Sequence, residues 1–145
     1  MAPLSEYDTS NIFARILRGE LPCHKLYEDD ATLAIMDIMP RADGHVLVLP
    51  KQACRNLLDA SPEALAAVMH TSQIMARAVM AAFAGDGVTI QQFNESSGGQ
   101  VVFHLHVHVI PRKTGIAMRP HTGEMAANDV LSAHAGLIKA ALDDL

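Results

Sequence analysis

The 145-residue chain is poor in cysteine, with two, Cys23 and Cys54. Two well-separated thiols are not the framework that staples small secreted domains, so a reducing compartment is expected. Both are read as small, buried or half-exposed side chains. Long apolar runs are also lacking. No window approaches the roughly 20 apolar residues that span a bilayer, and the start has no basic-then-apolar leader pattern. These absences predict a soluble, cytoplasmic protein with no membrane partner. Positive charge is not in excess either: the formal net charge is -5. That speaks against a general nucleic-acid binder held by phosphate neutralisation. It leaves room for a nucleotide site, where a few local donors outweigh the total charge. Internal repeats, low-complexity tracts and domain boundaries are absent as well. With half of the residues apolar, one domain over residues 1–145 with a sizeable core is expected.

The pattern along the chain predicts an α+β fold. Residues 1–9 read as a loose start. A short helix is expected over Asn11–Arg18, capped by Ser10 or Asn11 and stopped by Gly19. Leu21–Tyr27, Thr32–Asp37 and His45–Leu49 read as strands, the last entered through the turn Asp43-Gly44. The clearest helix spans Pro62–Phe83, with Ser61 as N-cap and Pro62 at the first helical position. Leu65, Val68, Met69, Met75, Val79, Met80 and Phe83 would form its apolar face. Strands over Val88–Phe93 and Val101–Ile110, a long connection over Arg112–Ala127, and a last helix over Asp129–Leu142 complete the pattern. The sheet is expected to be mainly antiparallel.

The chemistry concentrates in Phe103-His104-Leu105-His106-Val107-His108-Val109. On a strand, Phe103, Leu105, Val107 and Val109 share one face and the three histidines the other. Neighbouring histidine positions would lie about 7 Å apart, so three imidazoles can line one polyatomic substrate. Histidine can be neutral or charged near neutrality, hence nucleophile, proton donor or phosphate ligand. Alternate histidines also suit a metal ion, and they can simply face solvent or brace a sheet. All three readings stand on this segment alone.

The flanks add candidates. Asn94, Gly98, Gly99 and Gln100 precede the triad. Adjacent glycines allow close backbone approach to an anion, and the amides of Asn94 and Gln100 are neutral donors. A plain hairpin turn explains the same residues. His45 opens a strand and reads equally as a half-buried histidine. Asp37 can accept from ribose hydroxyls or cap a turn.

Taken together, these residues resemble the histidine triad (HIT) family of nucleotide hydrolases and transferases. The signature, three histidines alternating with apolar residues, stands complete as His104-Leu105-His106-Val107-His108-Val109-Ile110. Asn11-Ile12-Phe13, Gly19-Glu20-Leu21-Pro22, Tyr27-Glu28-Asp29, Asp37-Ile38 with Pro40, Gly44-His45, Pro50-Lys51 and Gly99-Gln100 extend the likeness over nearly the whole chain. The resemblance implies a homodimer acting on purine nucleotides, adenosine ones especially, without a cofactor. It implies that His106 attacks the α-phosphate and forms a nucleotidyl-histidine, which water releases as a nucleoside monophosphate. His104 and His108 would contact phosphate, with His45 in a hydrogen-bond relay. Asp37 would hold the ribose and Ile38 the base. Asn94, Gly99, Gln100 and Val101 would bind the phosphate or leaving group.

Departures from the family pattern carry information too. Many bacterial relatives bind structural zinc through a Cys-x-x-Cys near the first helix; here Asn11-Ile12-Phe13-Ala14 occupies that stretch, so no zinc is expected. Val101 stands where a hydroxyl residue is common. Ile110-Pro111-Arg112-Lys113-Thr114-Gly115 resembles the branch that hydrolyses dinucleoside polyphosphates, with Arg112 and Lys113 able to meet distal phosphates. The opening of the chain resembles the phosphoramidase branch. A non-catalytic nucleotide-binding or signalling module of the same fold is the alternative class, and the complete triad weighs against it.

Overall fold

A computed structural model describes residues 1–120 and 123–145. Its order is α1 (Ile12–Leu17), β1 (Lys25–Glu28), β2 (Thr32–Met36), β3 (Val46–Pro50), α2 (Pro62–Phe83), β4 (Gly87–Gln91), β5 (Val107–Arg112) and α3 (Asn128–Asp143). A single 3-10 turn, Ser96–Gly98, lies between β4 and β5. The five strands form one antiparallel sheet in the order β1-β2-β3-β5-β4. This is the expected α+β architecture.

β2 and β3 are buried along their whole length, which explains their unbroken apolar runs: both faces are covered. On one face Ala34, Met36, Val46, Val48, Val107 and Val109 pack against Val68, Met75 and Val79 of α2 and Leu131, Ala135 and Ile138 of α3. On the other, Leu33, Ile35, Leu47 and Leu49 meet Phe13 of α1 and Val102.

α2 keeps its predicted bounds, with Ser61 Oγ accepting from the Ala64 N–H. Its buried stripe differs from the expected one. Thr71 and Ser72 are buried, whereas Met69 is exposed. Two hydroxyls tolerate that position because each is paired: Thr71 Oγ1 lies 2.7 Å from Thr32 Oγ1, and Ser72 donates to the Val68 carbonyl at 2.7 Å.

Two local expectations are corrected. The triad segment is not one long strand, because pairing in β5 begins only at Val107, after a bend over residues 102–104. Phe103 accordingly leaves the core and lies half-buried under the Arg55 guanidinium, 4.1 Å from it. The start of the chain, read as loose, has no regular structure but docks Tyr7 onto His104. The predicted connection over 112–127 includes positions 121 and 122, which lie outside the described residues. Its described part is tied to the loop after β2: Arg119 N–H donates to the Arg41 carbonyl at 2.7 Å and Ala126 N–H to that of Ile38 at 2.9 Å.

Candidate active site

The site lies on the sheet face away from α2 and α3. Register decides this: Leu47 of β3 pairs with His108 of β5, so His108 shares the face of Leu47 and Ile35. β2 ends at Met36, and the Asp37 N–H continues the ladder to the His45 carbonyl at 3.0 Å. Asp37 then turns the chain by accepting the Met39 N–H at 2.8 Å. His45 is fully buried just before β3, its entry set by Gly44 at φ +84°.

These residues make a proton path with defined directions. The Arg41 backbone N–H donates to His45 Nδ1 at 3.0 Å. An amide N–H cannot accept, so neutral His45 carries its hydrogen on Nε2. That Nε2 lies 2.9 Å from His108 Nδ1, so it donates there and the His108 hydrogen sits on Nε2. His108 therefore offers a donor without needing a charge. Asp37 Oδ2 lies 3.4 Å from His45 Nε2 and 3.9 Å from His108 Nδ1.

The same three residues are the natural place to test for a metal, since their donor atoms all lie within 4.8 Å of one another. The fit fails at His45. A neutral imidazole ligating through Nε2 must carry hydrogen on Nδ1, and here that atom faces the Arg41 N–H. Two donors would oppose each other, so a relay suits these side chains and an ion does not.

His106 is oriented by main chain. Its Nδ1 lies 2.7 Å from the His104 carbonyl oxygen; a carbonyl only accepts, so the hydrogen is on Nδ1 and the in-plane lone pair on Nε2. The Phe13 ring packs edge-on against His106 with centroids 4.8 Å apart, and the His108 ring is 5.0 Å away. Both histidines line a cavity of about 360 Å3, within the usual range for small-molecule sites. Asp37, Ile38, His45, Gly99 and Val101 line it too, with apolar walls from Ile12, Phe13, Leu47 and Phe93.

Five predicted positions lie elsewhere. His104 is fully buried and does not line the cavity. Its Nε2 donates to the Pro50 carbonyl at 2.9 Å, and Tyr7 Oη lies 2.5 Å from its Nδ1. Burial pushes its pKa below the ordinary histidine value. Gln100 is buried with all four amide positions used: Nε2 donates to the Arg55 and Val102 carbonyls at 2.7 and 3.1 Å, and Oε1 accepts from Asn56 Nδ2 and the Glu95 N–H at 3.0 and 2.8 Å. Asn94 directs its amide to the Leu57 N–H and Gln92. Asn94 and Gln100, expected at the phosphate or leaving group, spend these amide contacts on the loop before the triad. Arg112 and Lys113 line a separate hollow of about 210 Å3, and Arg112 donates to Thr89 Oγ1.

Sequence reasoning missed Tyr7, the Arg41 amide and the Arg55–Asn56–Glu95 cluster. Glu95 takes φ +64°, unusual for a non-glycine. It is held there by Arg55 Nε at 2.8 Å, Asn56 Nδ2 at 2.6 Å and its own N–H to Gln100. No periodicity or motif marks these residues. They are single polar or aromatic positions that only long-range contacts bring together.

Residues 18–115 match the HIT domain family. The chain belongs to the HIT family. It is similar to a protein named adenylylsulfatase HINT3 from Arabidopsis thaliana, 40% identical over 102 residues; the match takes in 70% of this chain and 52% of that one. The chain thus spans about half the length of that relative. Among solved structures, a HIT-like protein from Bartonella henselae is 47% identical with a TM-score of 0.88, covering 94% of this chain and 99% of that chain. A zinc-bound histidine triad family protein from Mycobacterium smegmatis is 34% identical with a TM-score of 0.82, covering 94% and 95%.

Proposed function

We propose that this HIT protein hydrolyses a purine nucleotide conjugate at its α-phosphate through covalent attack by His106, releasing a nucleoside monophosphate. The observation that carries this reading is the His106 Nδ1–H bond to the His104 carbonyl, which puts the lone pair on Nε2 of a ring lining the cavity. His106 Nε2 bonds to phosphorus as the bond to the leaving group breaks, and the leaving amine or phosphate takes a proton. Water then cleaves the phosphorus–nitrogen bond and returns His106 to its neutral form. His108 donates from Nε2 to phosphate oxygens, and His45 with Asp37 accommodates the charge that develops. Asp37 or its neighbouring backbone takes the ribose, Ile38 the base, and Gly99 and Val101 the phosphate side. Asn94, Gln100 and His104 act by holding the loop and the His106 carbonyl partner. Residues 1–145 work as one HIT domain, in a homodimer as the family likeness implies, in the reducing cytoplasm that two well-separated cysteines suit.

His106→Ala should lower turnover about a thousandfold or more while leaving the fold intact. Denaturing mass spectrometry after brief mixing with an adenosine phosphoramidate, diadenosine triphosphate or diadenosine tetraphosphate should show a transient nucleotidyl adduct in the native protein only. Near-native turnover by the variant would sink the nucleophile assignment, and absence of any adduct or product would favour a non-catalytic module. Activity should survive chelation; its loss would revive the metal reading. Asp37→Ala should weaken nucleotide binding about tenfold or more by equilibrium titration, as expected when a charged hydrogen bond is lost.

A further inference from the structure

The segment ahead of α1 reaches the reactive histidines, although nothing in its sequence marks it. We propose that Tyr7 is a positioning residue whose hydroxyl donates to His104 Nδ1 and so fixes the backbone carbonyl that orients His106. The inference rests on the reading of His106 as nucleophile.

His104 is fully buried, so both of its nitrogens must find partners inside the protein. Nε2 lies 2.9 Å from the Pro50 carbonyl and must donate to it. Nδ1 must then accept, and Tyr7 Oη is 2.5 Å from it. The Tyr7 ring meets His104 edge-on at a centroid distance of 5.7 Å. β3 and the N-terminal segment therefore grip one imidazole from its two ends. The gripped residue is the one whose carbonyl accepts the His106 Nδ1–H at 2.7 Å.

Tyr7 is itself held in place. Asn11, the N-cap of α1, sends its N–H and Nδ2 to the Asp8 carbonyl at 3.2 and 2.8 Å. Ser10 bonds to the Asp8 carboxylate, and Arg18 donates to the Thr9 carbonyl at 2.7 Å. Residues 8–11 are thus clasped to α1, the helix that presents Phe13 to His106. One short unit, residues 7–18, contacts two triad histidines from the N-terminal side.

The groups that bear on His104 are Tyr7, the Pro50 carbonyl and, more distantly, Asp59. Asn11, Cys54, Arg18 and Asp8 bear on Tyr7. A hydroxyl donated to Nδ1 favours the neutral ring. His104 therefore serves through its main chain, with a neutral ring, and not as a cation against phosphate.

The test is Tyr7→Phe in the full chain, read by imidazole 15N resonances and by steady-state kinetics. In the native protein, His104 should show a protonated Nε2 and an Nδ1 shifted as a hydrogen-bonded acceptor. In the variant, that Nδ1 resonance should move toward an unbonded acceptor. kcat should fall about tenfold with KM changed less than about twofold. The acid limb of the kcat profile should move to higher pH, because the ring gains a proton more readily once the donor is gone. A kcat within about twofold of native, or an unaltered Nδ1 resonance, overturns the proposal. Should the variant not fold, the native spectrum decides: a hydrogen-bonded Nδ1 acceptor supports it, and a protonated or unbonded Nδ1 overturns it. If the native protein turns over no nucleotide, the hydrolase reading fails, while the resonances still report on Tyr7.

Discussion

His45, His104, His106 and His108 are chemically the same side chain, and their surroundings assign two tautomers, Nε2–H in His45, His104 and His108 and Nδ1–H in His106. The Arg41 amide sets His45, His45 sets His108, a carbonyl sets His106, and Pro50 with Tyr7 sets His104. Each assignment follows from which groups can only donate or only accept. His104 also links the site to stability. Its folded pKa is depressed by burial, so the unfolded chain binds more protons just below the ordinary histidine value. The stability it contributes is present above that value, about 6.5, and is lost as pH falls through the folded pKa. Urea midpoints should therefore decline between pH 7.5 and 5.5, before carboxylates such as Glu28, whose pKa is lowered by Lys25 and Lys51, begin to protonate. A flat midpoint over that range would contradict a buried neutral His104.

At the scale of elements, the turn into β3 is the most constrained. Gly44 has φ +84°, and a Cβ there would lie 2.4 Å from Phe83 Cε2. Gly44→Ala should cost about 2 kcal/mol or more by combining left-handed strain with overpacking. It should also reduce turnover by displacing His45, which thermal unfolding and kinetics can separate. α2 was readable because propensity, cap and period agree over 22 residues. Its exact stripe was not, because Thr71 and Ser72 are buried only by virtue of partners that the sequence pattern does not reveal. The triad segment was readable as alternating but not as bent. Alternation specifies faces once a strand exists; it does not say where pairing with a neighbour begins, and here that is Val107.

Across the whole molecule, the site draws on the N-terminal segment, both ends of the β2–β3 connection, the loop after β4 and the start of β5. Among the described residues no strand pairs with the outer edge of β4, and Ile90 on it is 43% exposed. Unpaired strand edges invite pairing with a second chain. Sedimentation equilibrium should give about twice the chain mass, and the urea midpoint should rise with protein concentration. A monomer with a concentration-independent midpoint would remove the dimer from the proposal.

The sequence by itself determined the α+β class, the long helix, the family and the list of histidines, because local periodicity, caps and a contiguous motif carry those. Asp37, Ile38, Gly99 and Val101, which the family likeness proposes for the nucleotide, line the cavity. Only the tertiary structure decided which nitrogen carries each hydrogen, that Gln100 and Asn94 spend their amides on the loop, and that Tyr7 belongs to the site. Those outcomes depend on contacts between residues far apart in the chain, Tyr7 with His104 and Gln100 with Asn56 among them. Burial then makes each donor and acceptor find its match.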